Sequence, residues 1–199
     1  MSMKFTVSDV EVEQPTTAYQ GFFKINKYTF KHKLYEGGWS KAISRELFER
    51  GNAAAVLMYD SAEDAVVMIE QFRIGALSEP SPWLLEIVAG MVEDGEVPAE
   101  VVIREAKEEA NCTLTEVEHI TDYLSSPGGT NEKISLYFAN VDSRTCKGVY
   151  GLESEGEDIL VRVLPFDDAW AMVEAGQCNN AMTLIALQWL KIKKLTNQF

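Results

Sequence analysis

Apolar and polar side chains first fall into a regular pattern at residues 28–35, "YTFKHKLY". Tyr28, Phe30, His32 and Leu34 alternate with Thr29, Lys31 and Lys33, the period of a strand with one face covered. "EGGW" turns the chain, and "KAISRELFERG" reads as a return strand that would complete a small antiparallel unit. Two apolar runs follow, "AAAVLMY" (53–59) and "AVVMIEQF" (65–72), with "DSAED" between them. Runs of that length bounded by turn residues predict buried strands, here joined as a hairpin. "SEPSP" (78–82) is a loop, and "WLLEIVAG" reads as a short strand ending in glycine. Pro98 suits the first turn of a helix and Asn111 a left-handed C-terminal cap, so the helix is expected from about Pro98 to Ala110. "ISLYFANV" and "DILVRVL" are further strands. "FDDAWAMVEAG" predicts a helix closed by Gly176, and "NAMTLIALQWLKIKKL" a longer one with lysines in its last turns. Strands mixed with helices point to an α/β sandwich on a mixed sheet.

Charge changes the picture at one of these elements. "GMVEDGEVPAEVVIREAKEEANC" (90–112) is crowded with carboxylates. Counting about 100° per residue from Arg104, Glu105 falls near 100°, Glu108 near 40° and Glu109 near 140°, while Val102, Ala106, Ala99, Ala110 and Ile103 occupy roughly 160° to 260°. Three carboxylates therefore share one stripe beside the buried face. Lys107 and Arg104 lie at other angles, and like charges at i,i+4 disfavour a helix. Two readings account for the stripe: a solvated acidic face, or a surface for a hard divalent ion such as Mg2+, which takes one or two carboxylates together with substrate phosphates.

Composition narrows the function classes. The length of 199 residues with 46% apolar composition suits one domain, or one domain with a small appendage. A formal net charge of −13 argues against a nucleic-acid binder, whose affinity rests on basic side chains. Cys112, Cys146 and Cys178 are odd in number and far apart, and are expected as reduced core thiols rather than a disulfide framework or zinc site. The N-terminal "MSMKFTVSDVEVEQP" has no apolar core segment and no run is long enough to span a bilayer, so a cytoplasmic protein without membrane attachment is expected. There is no G-x-S-x-G, and His32 and His119 are the only histidines, which weighs against serine or cysteine hydrolase chemistry.

Gly90, Glu96, Arg104, Glu105, Glu108 and Glu109, with Ala106 and Cys112 at the apolar positions, resemble the Nudix box G-x5-E-x7-R-E-U-x-E-E-x-G-U. Asn111 stands where the box has its second glycine, and Asn is the next-best residue at a left-handed cap. "GFFKINKYTFKHKLYEGGWSKAISRELFERGNAAAVL", "EQFRIGA", "PWLLEIVAGM", "SSPGGTNEKISLYFANV" and "GLESEGEDI" look like successive segments of the bacterial ADP-ribose pyrophosphatase subgroup of that family. The resemblance implies a Nudix-type α/β/α sandwich (residues 51–199) with a small N-terminal antiparallel β subdomain (1–50) swapped in a homodimer. It implies Mg2+-dependent hydrolysis of ADP-ribose to AMP and ribose 5-phosphate, with Mn2+ as an alternative ion. Glu105, Glu108, Glu109 and the backbone carbonyl of Ala89 would be metal ligands, and Glu96 and Arg104 would brace the motif. Arg73 would contact the diphosphate, Phe22 and the other subunit's copy of Arg45 the adenine, and Glu132 the ribose. Glu155 would be the general base, with Glu157 as base or extra metal ligand. Another nucleoside diphosphate sugar hydrolase, such as a GDP-mannose pyrophosphatase, and a non-catalytic ADP-ribose sensor are the alternatives.

Overall fold

The computed structural model describes residues 4–196. The chain divides into two compact units, Met1–Gly51 with Leu124–Glu132, and Asn52–Tyr123 with Lys133–Phe199.

The first unit is built from β1 (Val10–Val12), β2 (Thr16–Gln20), β3 (Lys24–His32) and β4 (Ile43–Glu49). β3 is the centre. β4 lies antiparallel along one edge (Tyr28↔Arg45), while β1 (Val12↔Phe30) and β2 (Thr16↔Lys27) follow one another along the other. The strand expected at 28–35 thus begins earlier and ends at His32, where Gly37 and Gly38 turn the chain with positive φ. β1 and β2 carry no alternation because every one of their residues is exposed. Asn26 alone is fully buried between residues 4 and 51. It donates to Glu49, which also accepts from Tyr28 and Asn131.

The second unit contains β5 (Asn52–Asp60), β6 (Ala65–Phe72), β7 (Trp83–Glu86), β8 (Val88–Val92), α1 (Pro98–Ala110), β9 (Glu118–Leu124), β10 (Lys133–Asn140), β11 (Gly148–Tyr150), β12 (Ile159–Pro165), α2 (Phe166–Glu174) and α3 (Ala181–Leu195). The sheet order is β11-β12-β6-β5-β10-β9, with β7 beside β6 and β8 beside β5. It is mixed: β5 and β10 run parallel, while β5–β6, β5–β8 and β12–β6 are antiparallel. β5 and β6 form the predicted hairpin, Met58 opposite Val67. "WLLEIVAG" proves to be two strands, because the chain leaves β6 for β5 at Ile87.

β5 shows why an unbroken apolar run belongs at the centre of such a sheet. Its even residues, Ala54, Val56 and Met58, pack with Val101, Val102, Ala106 and Ala110 of α1. Its odd residues, Ala53, Ala55, Leu57 and Tyr59, pack with Phe166 and Ala169 of α2 and Ala186, Leu187 and Leu190 of α3. Two cores on opposite faces make the α/β/α sandwich, since a strand covered on both sides has no polar face.

The thiol expectation is corrected. Cys112 and Cys146 are joined in a disulfide, Cα–Cα 5.9 Å apart, and Cys178 alone is free. Their separation of 34 residues hides the proximity, which arises because the chain leaving α1 lies against the turn at Ser143–Thr145 after β10.

Candidate active site

α1 begins where the sequence places it, with Pro98 in its first turn and Glu100 beside the positive end of the helix dipole. It ends at Asn111, whose φ of 52° is the left-handed conformation. Asn111 N–H donates to Lys107 O, and Lys107 Nζ donates to Asn111 Oδ1 at 2.6 Å. The amide side chain thereby gives the cap a partner that glycine could not supply.

The buried face of α1 comprises Val101, Val102, Ala106 and Ala110, together with Glu109, which is only 3% exposed. Glu109 Oε2 accepts from the Ala89 N–H on β8 at 3.3 Å. Burial, and then the negative charges of Glu105 and Glu157, push the Glu109 carboxyl up to about 8, against the pull of the Ala89 N–H and Arg73. Burial likewise raises Glu105; Arg104 opposes it, and Glu108, Glu157 and Glu155 add to it. Gly90 makes the approach of helix and strand feasible. A Cβ there would lie on the Glu105 side chain, 2.5 Å from its Cγ and nearer still to Cδ. The glycine is therefore set by contact rather than by a special backbone angle.

Arg104 reaches Glu105 (2.8 Å), Glu108 (3.5 Å) and Glu96 (3.7 Å). Glu96 Oε2 also accepts from Glu93 N–H at 2.9 Å, closing the loop before the helix. Among the described residues no three acidic, His or Cys side chains are assembled to hold a metal ion. Glu105 and Glu108 settle instead on Arg104, and Glu109 on a backbone amide. The donor chemistry nonetheless fits a hard divalent cation. These carboxylates crowd one edge of α1, two of them raised by burial and by neighbouring carboxylates, which is the electrostatic environment a 2+ charge relieves.

Arg73, just after β6, is near enough to lower Glu109, and its Nε donates to Glu86 Oε2 at 2.8 Å. The sequence pattern places Glu86 only within a strand. It is 1% exposed, and the one ionisable residue in "WLLEIVAG" was its available signal. The loop 151–158 brings Glu155 and Glu157 toward Glu105. The two differ in setting. Glu157 Oε2 accepts from the Leu152 N–H at 2.9 Å and packs where a Cβ on Gly151 would be. Glu155 is exposed and ends a turn of 3-10 helix at Gly156, in the left-handed conformation.

Phe22, Arg45 and Glu132 belong to the first unit. Phe22 is 86% exposed and meets Phe23 edge to face at 4.8 Å. Arg45 is exposed on β4 and donates to Ser44 O at 2.8 Å. Glu132 is buried and ion-paired with Arg50.

The family model for the NUDIX domain matches residues 49–182. The ADP-ribose pyrophosphatase of Escherichia coli (strain K12) is 44% identical over 193 residues, 96% of this chain and 92% of the relative. That of Haemophilus influenzae is also 44% identical, covering 94% of this chain and 88% of the relative. The GDP-mannose pyrophosphatase of Pectobacterium atrosepticum is 33% identical over 91% of this chain and 93% of its own.

Proposed function

The chain belongs to the NUDIX family, and from that premise we propose that it hydrolyses the diphosphate of ADP-ribose to AMP and ribose 5-phosphate in a Mg2+-dependent reaction. One observation carries the reading: Glu105 feels the charges of Glu108, Glu155 and Glu157, Glu109 those of Glu105 and Glu157, and two guanidinium groups attend them, Arg104 at 2.8 Å from Glu105 and Arg73 acting on Glu109. Glu105, Glu108 and Glu109, with the Ala89 carbonyl, would hold Mg2+, or Mn2+ in its place. The bound ion would neutralise the diphosphate and lower the pKa of attacking water. Arg73 offers a planar guanidinium to the phosphate oxygens, while Glu96 and Arg104 brace the loop and helix. Glu155 takes the proton from water: its exposed turn lets it approach and withdraw, whereas Glu157 is committed to the Leu152 amide.

Residues 1–50 act as a swapped subdomain of a homodimer, and residues 51–199 as the hydrolase domain. The exposed Tyr19, Phe22 and Tyr35 and the scarcity of buried side chains in the first unit support such pairing. In the dimer Phe22 and the partner subunit's Arg45 would hold the adenine, and Glu132 the ribose. No helix among the described residues is long and apolar enough to cross a membrane.

ADP-ribose is favoured over GDP-mannose because relatives that carry the first name are 44% identical and those that carry the second 33% to 36%. Chromatographic product analysis over a panel of nucleoside diphosphate sugars tests the choice. AMP and ribose 5-phosphate should be the products of the preferred substrate. A higher kcat/KM for GDP-mannose would favour the second reading, and ADP-ribose binding without cleavage would make the protein a sensor.

A further inference from the structure

A chain of polar contacts reaches Arg73 from the N-terminus of α3. Glu86, the last residue of β7, is 1% exposed, and its two oxygens have different partners. Oε2 accepts from Arg73 Nε at 2.8 Å, and Oε1 accepts from Asn180 Nδ2 at 2.6 Å. Asn180 is the N-cap of α3, where its Oδ1 accepts from Thr183 N–H at 3.2 Å and from the Thr183 hydroxyl at 3.3 Å. Thr183 is fully buried, and its Oγ1 accepts from the N–H of Ile87 at 3.1 Å, the residue after Glu86. The ring Glu86–Asn180–Thr183–Ile87 is closed. With Oδ1 engaged by the cap, the amide of Asn180 has one orientation, and its NH2 must face Glu86.

We propose that Glu86 and Asn180 are positioning residues that fix the plane of the Arg73 guanidinium, so that its Nη edge is presented to the substrate diphosphate. The inference rests on the reading of Arg73 as the diphosphate contact. A guanidinium is a rigid fork, so fixing Nε to an immobile oxygen sets where both Nη groups point, and a phosphate can then be met bidentately. Neither Nη donates to a protein acceptor among the described residues. A carboxylate anchored by one oxygen alone would swing; the amide of Asn180 on the other oxygen holds it. Stability alone does not account for the arrangement: Glu86 is buried while the Arg73 side chain is 40% exposed, and a carboxylate taken out of water is often no better for stability than a well-packed apolar residue of the same volume. Burial also pushes the Glu86 carboxyl up, with Arg73 and Asn180 working against that.

A double-mutant cycle in the full-length protein tests this. Asn180→Ser keeps an oxygen for the helix cap but removes the donor to Glu86. Steady-state hydrolysis of ADP-ribose in saturating Mg2+ should show kcat/KM lower by about tenfold or more, since a misplaced substrate-orienting group costs up to ~10²-fold. The Mg2+ concentration for half-maximal rate should be unchanged. Placed on Arg73→Ala, the substitution should have no further effect, because it acts only through that side chain. Equal proportional losses in both backgrounds, or Asn180→Ser within about twofold of wild type, would overturn the proposal. Arg73→Ala with wild-type kcat/KM would instead overturn the diphosphate reading on which it stands. Should Asn180→Ser fold poorly in thermal melts, Glu86→Gln carries the same cycle. Its single carbonyl oxygen cannot serve both Arg73 and Asn180, so one of them meets an NH2 group.

Discussion

Gly90→Ala tests the packing of helix against strand without substituting any carboxylate. The added Cβ would stand 2.5 Å from Glu105 Cγ, and ordinary contacts begin near 3.4 Å, so the side chain must shift by about 0.9 Å or more. Cγ lies near the root of the side chain, and Glu105 is only 13% exposed, so rotation of the carboxylate alone does not relieve the clash. Gly90 itself is an ordinary strand residue opposite Ala54, without positive φ, and alanine is compatible with its backbone. Such a substitution tends to stabilise by ~0.4 to 1 kcal/mol through the unfolded state, offsetting part of the steric cost. The fold should therefore survive while Glu105, the proposed metal ligand, is displaced. Mg2+ tolerates little departure from octahedral geometry, and misplacement on the order of 1 Å costs up to ~10²-fold in rate. We expect kcat/KM for ADP-ribose to fall by ~10- to 100-fold, with a higher Mg2+ concentration at half-maximal rate and a cooperative thermal transition. Wild-type turnover and wild-type Mg2+ dependence in a folded Gly90→Ala protein would refute the placement of Glu105 at the ion.

The metal-free protein should lose stability as pH rises. With its pKa raised from 4.5 to about 8, Glu109 keeps its proton in the folded state after the unfolded chain has released it, a penalty that grows between those two values to at most ~5 kcal/mol. Urea unfolding in EDTA at pH 5.5 and 8.5 should show that slope reduced in Glu109→Gln; an unchanged slope would contradict the assignment. Glu155→Gln should lower kcat by ~10²- to 10⁴-fold with little change in Mg2+ dependence, whereas Glu157→Gln should do less or alter the metal requirement. An active Glu155→Gln beside a dead Glu157→Gln would move the base by two residues. Breaking the Cys112–Cys146 link, which closes a loop across 34 residues, should cost ~4 kcal/mol by chain entropy. Denaturant melts of Cys146→Ser against the oxidised protein measure it, and equal midpoints would contradict it.

Where one periodic signal dominated, the sequence was legible. α1 runs from Pro98 to Ala110 as expected, because a first-turn proline, an apolar stripe and a left-handed cap agree on both ends. β5 and β6 were plain because both their faces are buried. β1 and β2 were invisible for the opposite reason: exposed on both faces, they repeat nothing. β9 carries a mixture of exposed and half-buried positions that no single period describes. At the site, spacing marked Glu105, Glu108 and Glu109 because one helix carries all three. It could not mark Asn180 as a partner of Glu86, 94 residues away, nor Cys146 as the partner of Cys112. Such pairs are made by the sheet order, and one sequence without a second to compare holds no local trace of them.

Turnover of ADP-ribose by Glu109→Gln shows whether the carboxylates of α1 hold the divalent ion on which diphosphate hydrolysis is proposed to depend. The substitution keeps the shape of a buried side chain and removes its capacity to ionise against a cation. In saturating Mg2+ activity should fall by orders of magnitude, with the fold and thermal transition retained. Turnover near the wild-type rate would contradict it.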